Sequence, residues 1–232
     1  MIYLITGASR GLGLEFVKQL SVSGHTVIAT ARAPEQADEL QLLAKENKNI
    51  HIVALDTTNN ESLKAAVKTV DEITPNGVDI LINNSGVAGQ RNVHAENTTA
   101  QDYLNVFQTN VVGTSNVTQA FLPILHRRNT RYIVNISSIL GSIANTTGGN
   151  QSAYRVSKAA ENMLSRVLAS QLKKDNFIVV AIHPGWVQTD MGGKEAPLTA
   201  RESIAGMLKQ IENLKPEQNG TFFDYEGKIL PW

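Results

Sequence analysis

The stretch from Ile2 to Leu14 constrains the fold more than any other. Ile2-Tyr3-Leu4-Ile5 is an apolar run of the kind that forms a strand buried on both faces of a parallel sheet. It breaks at Thr6-Gly7, and amphipathic helical spacing resumes after Gly11. Between them lie Gly7, Gly11 and Gly13, spaced G-x-x-x-G-x-G. A sharp strand-to-helix turn needs positive φ, and a phosphate needs bare backbone to approach; glycine meets both demands. The following helix offers unpaired N–H groups and the positive end of its dipole to an anion. A turn that merely connects two elements would use the same glycines. The strand before it and the helix after it favour the anion-binding reading.

The 232 residues can bury a core large enough for one sizeable α/β domain. Strand-like and helix-like segments alternate without a linker, so a single domain over 1–232 is expected. The 21 basic residues balance the 21 acidic ones, and the basic ones gather on no segment. Nucleic acid and anionic membranes are therefore not expected partners. There is no cysteine, which removes disulfide and thiolate chemistry and fits a reducing, cytoplasmic setting. The first strand starts at once, leaving no room for a signal peptide, and no apolar run is long enough to span a bilayer. No metal site is expected.

Helical spacing over 12–20 ends at Ser23-Gly24, and Thr26 to Ala29 reads as the second strand. In a dinucleotide-binding βαβ unit, an acid at the end of this strand holds the ribose 2′-OH. Ala31-Arg32 stands there instead, and Arg10 in the glycine turn can close on the same spot. Each arginine alone reads as a solvated charge. Together, two guanidinium forks suit a 2′-phosphate and point to NADP. A helix over 35–46 leads to a strand over 50–55 ending in Asp56-Thr57. Asp56 either meets an adenine amino group or caps the loop with its carboxylate. Thr58 and Glu61 match a capping box for the next helix, which Pro75-Asn76-Gly77 closes.

The fourth strand, 78–82, runs into Asn83-Asn84-Ser85-Gly86. Paired asparagines there can satisfy backbone groups between neighbouring strands, while Gly86 lets a cofactor lie close; a plain turn has the same composition. Thr98 and Gln101 suit the cap of one long helix over 100–125. Asn110, in its middle, reads by itself as a helix-surface residue. A fifth strand over 132–136 carries Ser137-Ser138 at its C-terminal end, where open parallel sheets place ligands. After a polar loop over 141–151, Tyr154 and Lys158 fall four apart and project from one helical face. A lysine ammonium near a phenol favours the phenolate and makes Tyr154 a proton donor or acceptor usable nearer neutrality. A sixth strand over 177–182 ends in Pro184-Gly185-Trp186-Val187-Gln188-Thr189, a turn able to wrap the far end of a cofactor. A helix over 199–214 and a strand over 221–225 complete the chain.

In this order, Thr6-Gly7-Ala8-Ser9-Arg10-Gly11-Leu12-Gly13, Asn83-Asn84-Ser85-Gly86, Asn110, Ser138, Tyr154-x-x-x-Lys158 and Pro184-Gly185 resemble the classical short-chain dehydrogenase/reductase family over the whole chain. The resemblance implies a doubly wound α/β Rossmann fold, with a seven-stranded parallel sheet of order 3-2-1-4-5-6-7 and helices on both faces. It implies Tyr154 as general acid, Ser138 holding the substrate carbonyl, Lys158 gripping the nicotinamide ribose, and the Asn110 backbone seating a water in a proton relay. It places Val187 and Thr189 at the nicotinamide amide, Asp56 and Thr57 by the adenine, and Asn83, Ser85 and Gly86 along the cofactor. The glycine turn, including Ser9 and Leu12, would hold the phosphates. Two features depart from the family: Ser85 stands where alanine is usual, and the segment from Ser138 to Tyr154 is three residues longer. With the ending Phe-Phe-Asp-Tyr-Glu-Gly-Lys-Ile-Leu-Pro-Trp, that loop resembles the Sniffer and C-factor branch of carbonyl reductases and signalling proteins.

The expectation is therefore an NADP(H)-dependent reductase of small carbonyl compounds, or the reverse alcohol dehydrogenase, assembled as a homodimer or homotetramer through the helices around Asn110 and Tyr154. The alternative is a nucleotide-binding signalling protein whose reductase activity is incidental. An extended sugar-nucleotide epimerase is disfavoured, because little chain follows Pro184.

Overall fold

The computed structural model describes residues 1–232. Seven apolar runs form strands: β1 Ile2–Ile5, β2 Thr26–Ala31, β3 Ile50–Ala54, β4 Ile80–Asn83, β5 Tyr132–Ile136, β6 Ile178–His183 and β7 Phe222–Asp224. All neighbours are parallel, in the expected order β3-β2-β1-β4-β5-β6-β7. The order reverses between β1 and β4, which opens a crevice beyond their C-terminal ends.

The helices are α1 Gly11–Val22, α2 Asp38–Glu46, α3 Asn60–Ile73, α4 Ala100–Phe107, α5 Thr114–Leu125, α6 Ser152–Leu172 and α7 Ala200–Glu212. Strand side chains alternate between two cores, as the pleat requires. Tyr3 and Ile5 join Phe16 and Leu20 of α1 with Ile204 and Met207 of α7. Leu4, between them, joins Val70 of α3 and Phe121 of α5 on the opposite face. No helix is long and apolar enough to cross a membrane.

Several local expectations are corrected. The helix expected over 35–46 is a 3₁₀ turn, Pro34–Gln36, followed by α2 after a break at Ala37, whose side chain is buried in the core. The N-cap of α3 is Asn59, accepting from Ser62 N–H at 2.9 Å; Thr58 instead gives its N–H and hydroxyl to Asp56. Thr99, not Thr98, caps α4 by accepting from Asp102 N–H. In both cases two adjacent side chains could cap, and the one not used found another partner, Asp56 within the same loop for Thr58 and Ser152 of α6 for Thr98. The long helix over 100–125 is three pieces, α4 and α5 joined by a π-helical stretch over Gln108–Gly113. That wide turn carries Asn110, which is 0% exposed rather than on the surface.

Asp79, just before β4, ties the two central strands together at the end away from the crevice. Its carboxylate is 4% exposed. It accepts from Ile2 N–H at 2.8 Å, from Arg128 at 2.9 and 3.0 Å and from Thr130 Oγ1 at 3.1 Å. Burial pushes this carboxyl up, but the Arg128 guanidinium and the other donors outweigh burial and hold it below the usual aspartate value. A depressed value means stability that is present above the unfolded-state titration, about pH 4, and lost as pH falls through the folded one. Asp79→Asn should therefore cost about 1.5–3 kcal/mol in urea unfolding at neutral pH. The gap between variant and parent should narrow below about pH 4. A gap that stays constant into strong acid would show that the charge is not what stabilises this joint.

Candidate active site

The crevice is lined first by the glycine turn. Gly7 and Gly11 have φ of +67° and +55°, open to glycine at little cost. A Cβ on Gly13 would lie 2.2 Å from the Gly7 carbonyl oxygen, so no side chain fits where α1 crosses the turn. No side chain caps α1 and no acid occupies its first turn, so Gly11 and Leu12 present a positive helix end to the groove.

Thr6 and Asn84 lock this turn to the segment after β4. Thr6 Oγ1 accepts from the N–H groups of Asn84 and Ser85, both at 3.0 Å. Asn84 Nδ2 donates back to the carbonyls of Thr6 at 3.0 Å and Gly7 at 3.1 Å. The bridging expected of the asparagine pair is thus done by Asn84 alone. Asn83, expected at the cofactor, is 2% exposed and donates to Thr118 Oγ1 at 3.1 Å and Asn135 Oδ1 at 2.8 Å. Neighbouring strand residues face opposite ways, and Asn83 faces the core rather than the groove.

Ser9, Arg10, Ala31, Arg32, Asp56 and Thr57 line the far end of the groove. Position 31 offers no carboxylate. Arg10 lies 3.5 Å from Asp190, but these side chains are 79% and 78% exposed, so the pair is weakly held. Asp56 accepts from Thr58 N–H at 2.9 Å and Thr58 Oγ1 at 2.7 Å, which is the loop-capping role. Burial pushes its carboxyl up; the bonds from Thr58 and the Arg32 charge prevail and hold it below the usual range.

At the other end, Tyr154 stands where two grooves meet. One runs past Gly86 and Lys158 to the glycine turn; the other is walled by Ser138, Ile139, Gln151 and Trp186. Ser138 Oγ accepts from Leu140 N–H at 3.1 Å, which leaves its own O–H free to donate. Lys158 is 4% exposed, with Nζ 5.8 Å from the Tyr154 ring centre. It donates to the Ile136 carbonyl at 2.8 Å and to Glu161 Oε2 at 2.6 Å. Burial would lower the lysine's affinity for its proton, but the Glu161 charge, the Tyr154 phenol and the hydrogen bond to Glu161 together outweigh it and hold the ammonium above the ordinary lysine value.

Asn110 lines neither groove. Its Oδ1 accepts from Val87 N–H at 2.8 Å, and its Nδ2 donates to the Val87 carbonyl at 3.0 Å and to Ser157 Oγ at 2.9 Å. Ser157 in turn donates to the Tyr154 carbonyl at 2.7 Å. Asn110 thus pins the first turns of α6 to the segment after β4. A Cβ on Gly86 would sit 3.4 Å from Asn110 Oδ1 and 3.8 Å from Lys158 Nζ, so only a small residue keeps this corner open.

Pro184 and Thr189 border both grooves, whereas Gly185 and Val187 border only the second. Thr189 Oγ1 accepts from Gly192 N–H at 3.0 Å, which curls the segment after β6 over the site. His183 also borders the second groove; burial pushes it down to about 4, so it is neutral at physiological pH. The loop after Ser138 is pinned from afar. Ser142 Oγ donates to the Pro231 carbonyl at 2.7 Å, Ala144 N–H to Trp232 O at 3.0 Å, and the Trp232 ring stacks on Phe222.

Sequence reasoning missed Thr6, Asn84 as a groove residue, Ser157 and Glu161. Glu161 was findable: it follows Lys158 by three and shares its helical face. Thr6 carries no such signal, since its partners come from the segment after β4, and neither does the bond that Ser157 receives from Asn110, 47 positions away.

The short chain dehydrogenase family model matches residues 1–198. The C-signal of Myxococcus xanthus is 45% identical over 155 residues, 67% of this chain and 93% of that protein. An uncharacterised oxidoreductase of Schizosaccharomyces pombe is 37% identical over 250 residues, covering 100% of this chain and 98% of its own. Among solved structures, the carbonyl reductase Sniffer of Drosophila melanogaster superposes with a TM-score of 0.94 at 37% identity, over 99% of this chain and 98% of that one. An NADPH-bound carbonyl reductase from chicken fatty liver gives a TM-score of 0.94 at 39% identity, with the same coverage. With its motifs set around one crevice at the sheet's reversal point and these likenesses spanning its length, the chain belongs to the short-chain dehydrogenase family.

Proposed function

We propose that the protein is an NADP(H)-dependent reductase of small aldehydes or ketones, running also as an alcohol dehydrogenase. The observation that carries this reading is the meeting of two grooves at Tyr154, with Lys158 on one side and Ser138 on the other. The fit to a dinucleotide rests on the cradle itself: Gly13 leaves no room for a side chain, and an uncapped helix end borders the turn. When bound, the cofactor supplies or accepts a hydride at its nicotinamide ring. Arg32 and Arg10 would hold the 2′-phosphate, and Lys158, with a third donor to spare, the nicotinamide ribose.

The chain's own part is to place the carbonyl and move a proton. The Ser138 O–H donates to the carbonyl oxygen as negative charge develops there. The Tyr154 O–H delivers the proton that completes the alcohol, and takes it back in the reverse direction. Asn110 positions Tyr154 through Ser157; its carbonyl accepts the Thr114 hydroxyl at 2.9 Å and keeps a second lone pair for a relay water. The likeness to C-signal supports a signalling role for the same nucleotide-binding fold, but only the reductase needs Ser138, Tyr154 and Lys158 together. Assembly as a homodimer or homotetramer is supported by Leu104 and Phe107 on α4 and Val156, Met163 and Val167 on α6, all exposed on helices that pack side by side.

Tyr154→Phe should fold and bind NADPH yet lose about 10²–10⁴-fold in turnover across a panel of aldehydes and ketones. Ser138→Ala should lose less, because water can replace a hydroxyl. A loss well under tenfold in Tyr154→Phe would remove it as the proton donor, and no turnover by the parent on any compound would favour the signalling role.

The cofactor reading is tested by kcat/KM with each nicotinamide. A charge-assisted contact is worth about 1.5–3 kcal/mol, so NADPH should be preferred at least about tenfold. Ala31→Asp with Arg32→Ala should shrink or reverse that preference by repulsion as well as lost attraction. Equal use of NADH by the parent would show that both arginines serve only the surface.

For assembly, Leu104→Glu with Met163→Glu should convert the dimer or tetramer to a monomer in sedimentation. An unchanged mass would place the interface elsewhere.

A further inference from the structure

Ser138 and Tyr154 account for the carbonyl oxygen of a substrate, and the rest of the second groove must hold its body. Only one charged side chain borders that groove, Arg91. No aspartate or glutamate borders it, and His183 is neutral. Much of the remaining wall is apolar, with Leu12, Ala88, Ile139, Val187 and Met191. Trp186 adds its ring, whose N–H is already taken by the Gly192 carbonyl at 2.8 Å.

The segment that carries Arg91 is braced against α4. Asp102, in the first turn of that helix, accepts from Gln90 N–H with both carboxylate oxygens, at 3.3 and 3.2 Å. Gly89, at φ +63°, packs so closely that a Cβ there would lie 2.6 Å from Val106 Cγ2. From this brace Arg91 reaches to the segment after β6, where its Nη2 donates to the Asp190 carbonyl at 3.1 Å. It forms no ion pair; the Asp190 carboxylate lies with Arg10 instead, at 3.5 Å. A guanidinium carries five N–H donors in a planar fork, so most of this one is unengaged. Arg91 borders the second groove and not the one beside the glycine turn, which puts it on the substrate's side.

Building on the reductase reading, we propose that Arg91 is a specificity-determining residue, and that the preferred substrates are aldehydes or ketones whose apolar body ends in a carboxylate. The planar fork binds the two oxygens of a carboxylate side by side. A phosphate dianion would call for a second cation, and none borders the groove. An amine-bearing body would meet Arg91 as a like charge with no acid to balance it. The two ends of the substrate then set its register, the carbonyl at Tyr154 and the carboxylate at Arg91, with the hydrocarbon or aryl stretch on the apolar walls.

The probes are levulinate and para-acetylbenzoate, each paired with its methyl ester, which keeps the body and removes the charge. Affinity is read by calorimetry on the protein loaded with oxidised NADP, which has no hydride to give, and kcat/KM is read with NADPH. In the parent, at least one acid should bind about fivefold more tightly than its ester, the upper end for a pair open to solvent. Arg91→Gln should abolish that margin, Arg91→Glu should invert it by repulsion, and Arg91→Lys should keep part of it. The parent's margin should also shrink as salt rises, because an exposed pair is screened. The kcat/KM ratios should follow the affinities. Acid and ester bound equally by the parent, neither acid bound, or a margin unmoved in Arg91→Gln or by salt would each overturn the proposal. So would an Arg91→Gln protein weakened equally toward acid, ester and NADPH, which would leave Arg91 a clasp between two segments. Calorimetry needs no turnover, so a parent inactive on every carbonyl compound would sink the proposed function while Arg91 is still judged by its own margin.

Discussion

The approach of α1 to the Gly7 carbonyl is the constraint on which the rest of this structure depends. Because position 13 has no Cβ, the helix can start directly over the end of β1. Thr6 is then left to receive two N–H groups from the segment after β4, and Asn84 returns two bonds across the same gap. Those four contacts fix the width of the crevice where the strand order reverses. A side chain at position 13 would lift α1, and both the phosphate cradle and the placement of Gly86 beside Lys158 would go with it.

The opposite wall has a different origin. It is held by polar bonds among fully or nearly buried side chains, running from Val87 through Asn110 and Ser157 to Tyr154, and from Lys158 through Glu161 to Thr114. Hydrogen bonds in such surroundings are strong and expensive to leave unmade, so the network specifies one arrangement of α6 against the π-helical turn. The wide turn is what brings Asn110 inward, and through Ser157 it fixes where the Tyr154 phenol stands relative to Ser138.

The strands were legible as apolar runs, whereas their number and order came from the family resemblance that the motifs carry, and the sheet has that order. Helical periodicity puts Tyr154 and Lys158 on one face, but their roles too came from the resemblance. Helix caps slipped by a residue at Thr58 and Thr98, where two adjacent side chains could each cap; a bond within the loop to Asp56 engages Thr58, and a tertiary contact with Ser152 engages Thr98. Asn110 was misplaced because intrinsic propensity says nothing of a π-helical turn. Asn83 was misassigned because a motif names residues without saying which side of the strand each one faces.

The loop that follows Ser138 is held by the other end of the chain. Ser142 and Pro231 are 89 positions apart, yet one hydroxyl joins them, while Trp232 rests on Phe222. Contacts this distant in sequence form only after a long segment has been enclosed, so they are late to gain and early to fray. This wall of the second groove is therefore tied to residues 231 and 232, whereas the bonds that lock the glycine turn run between Thr6, Gly7, Asn84 and Ser85 and involve neither of them.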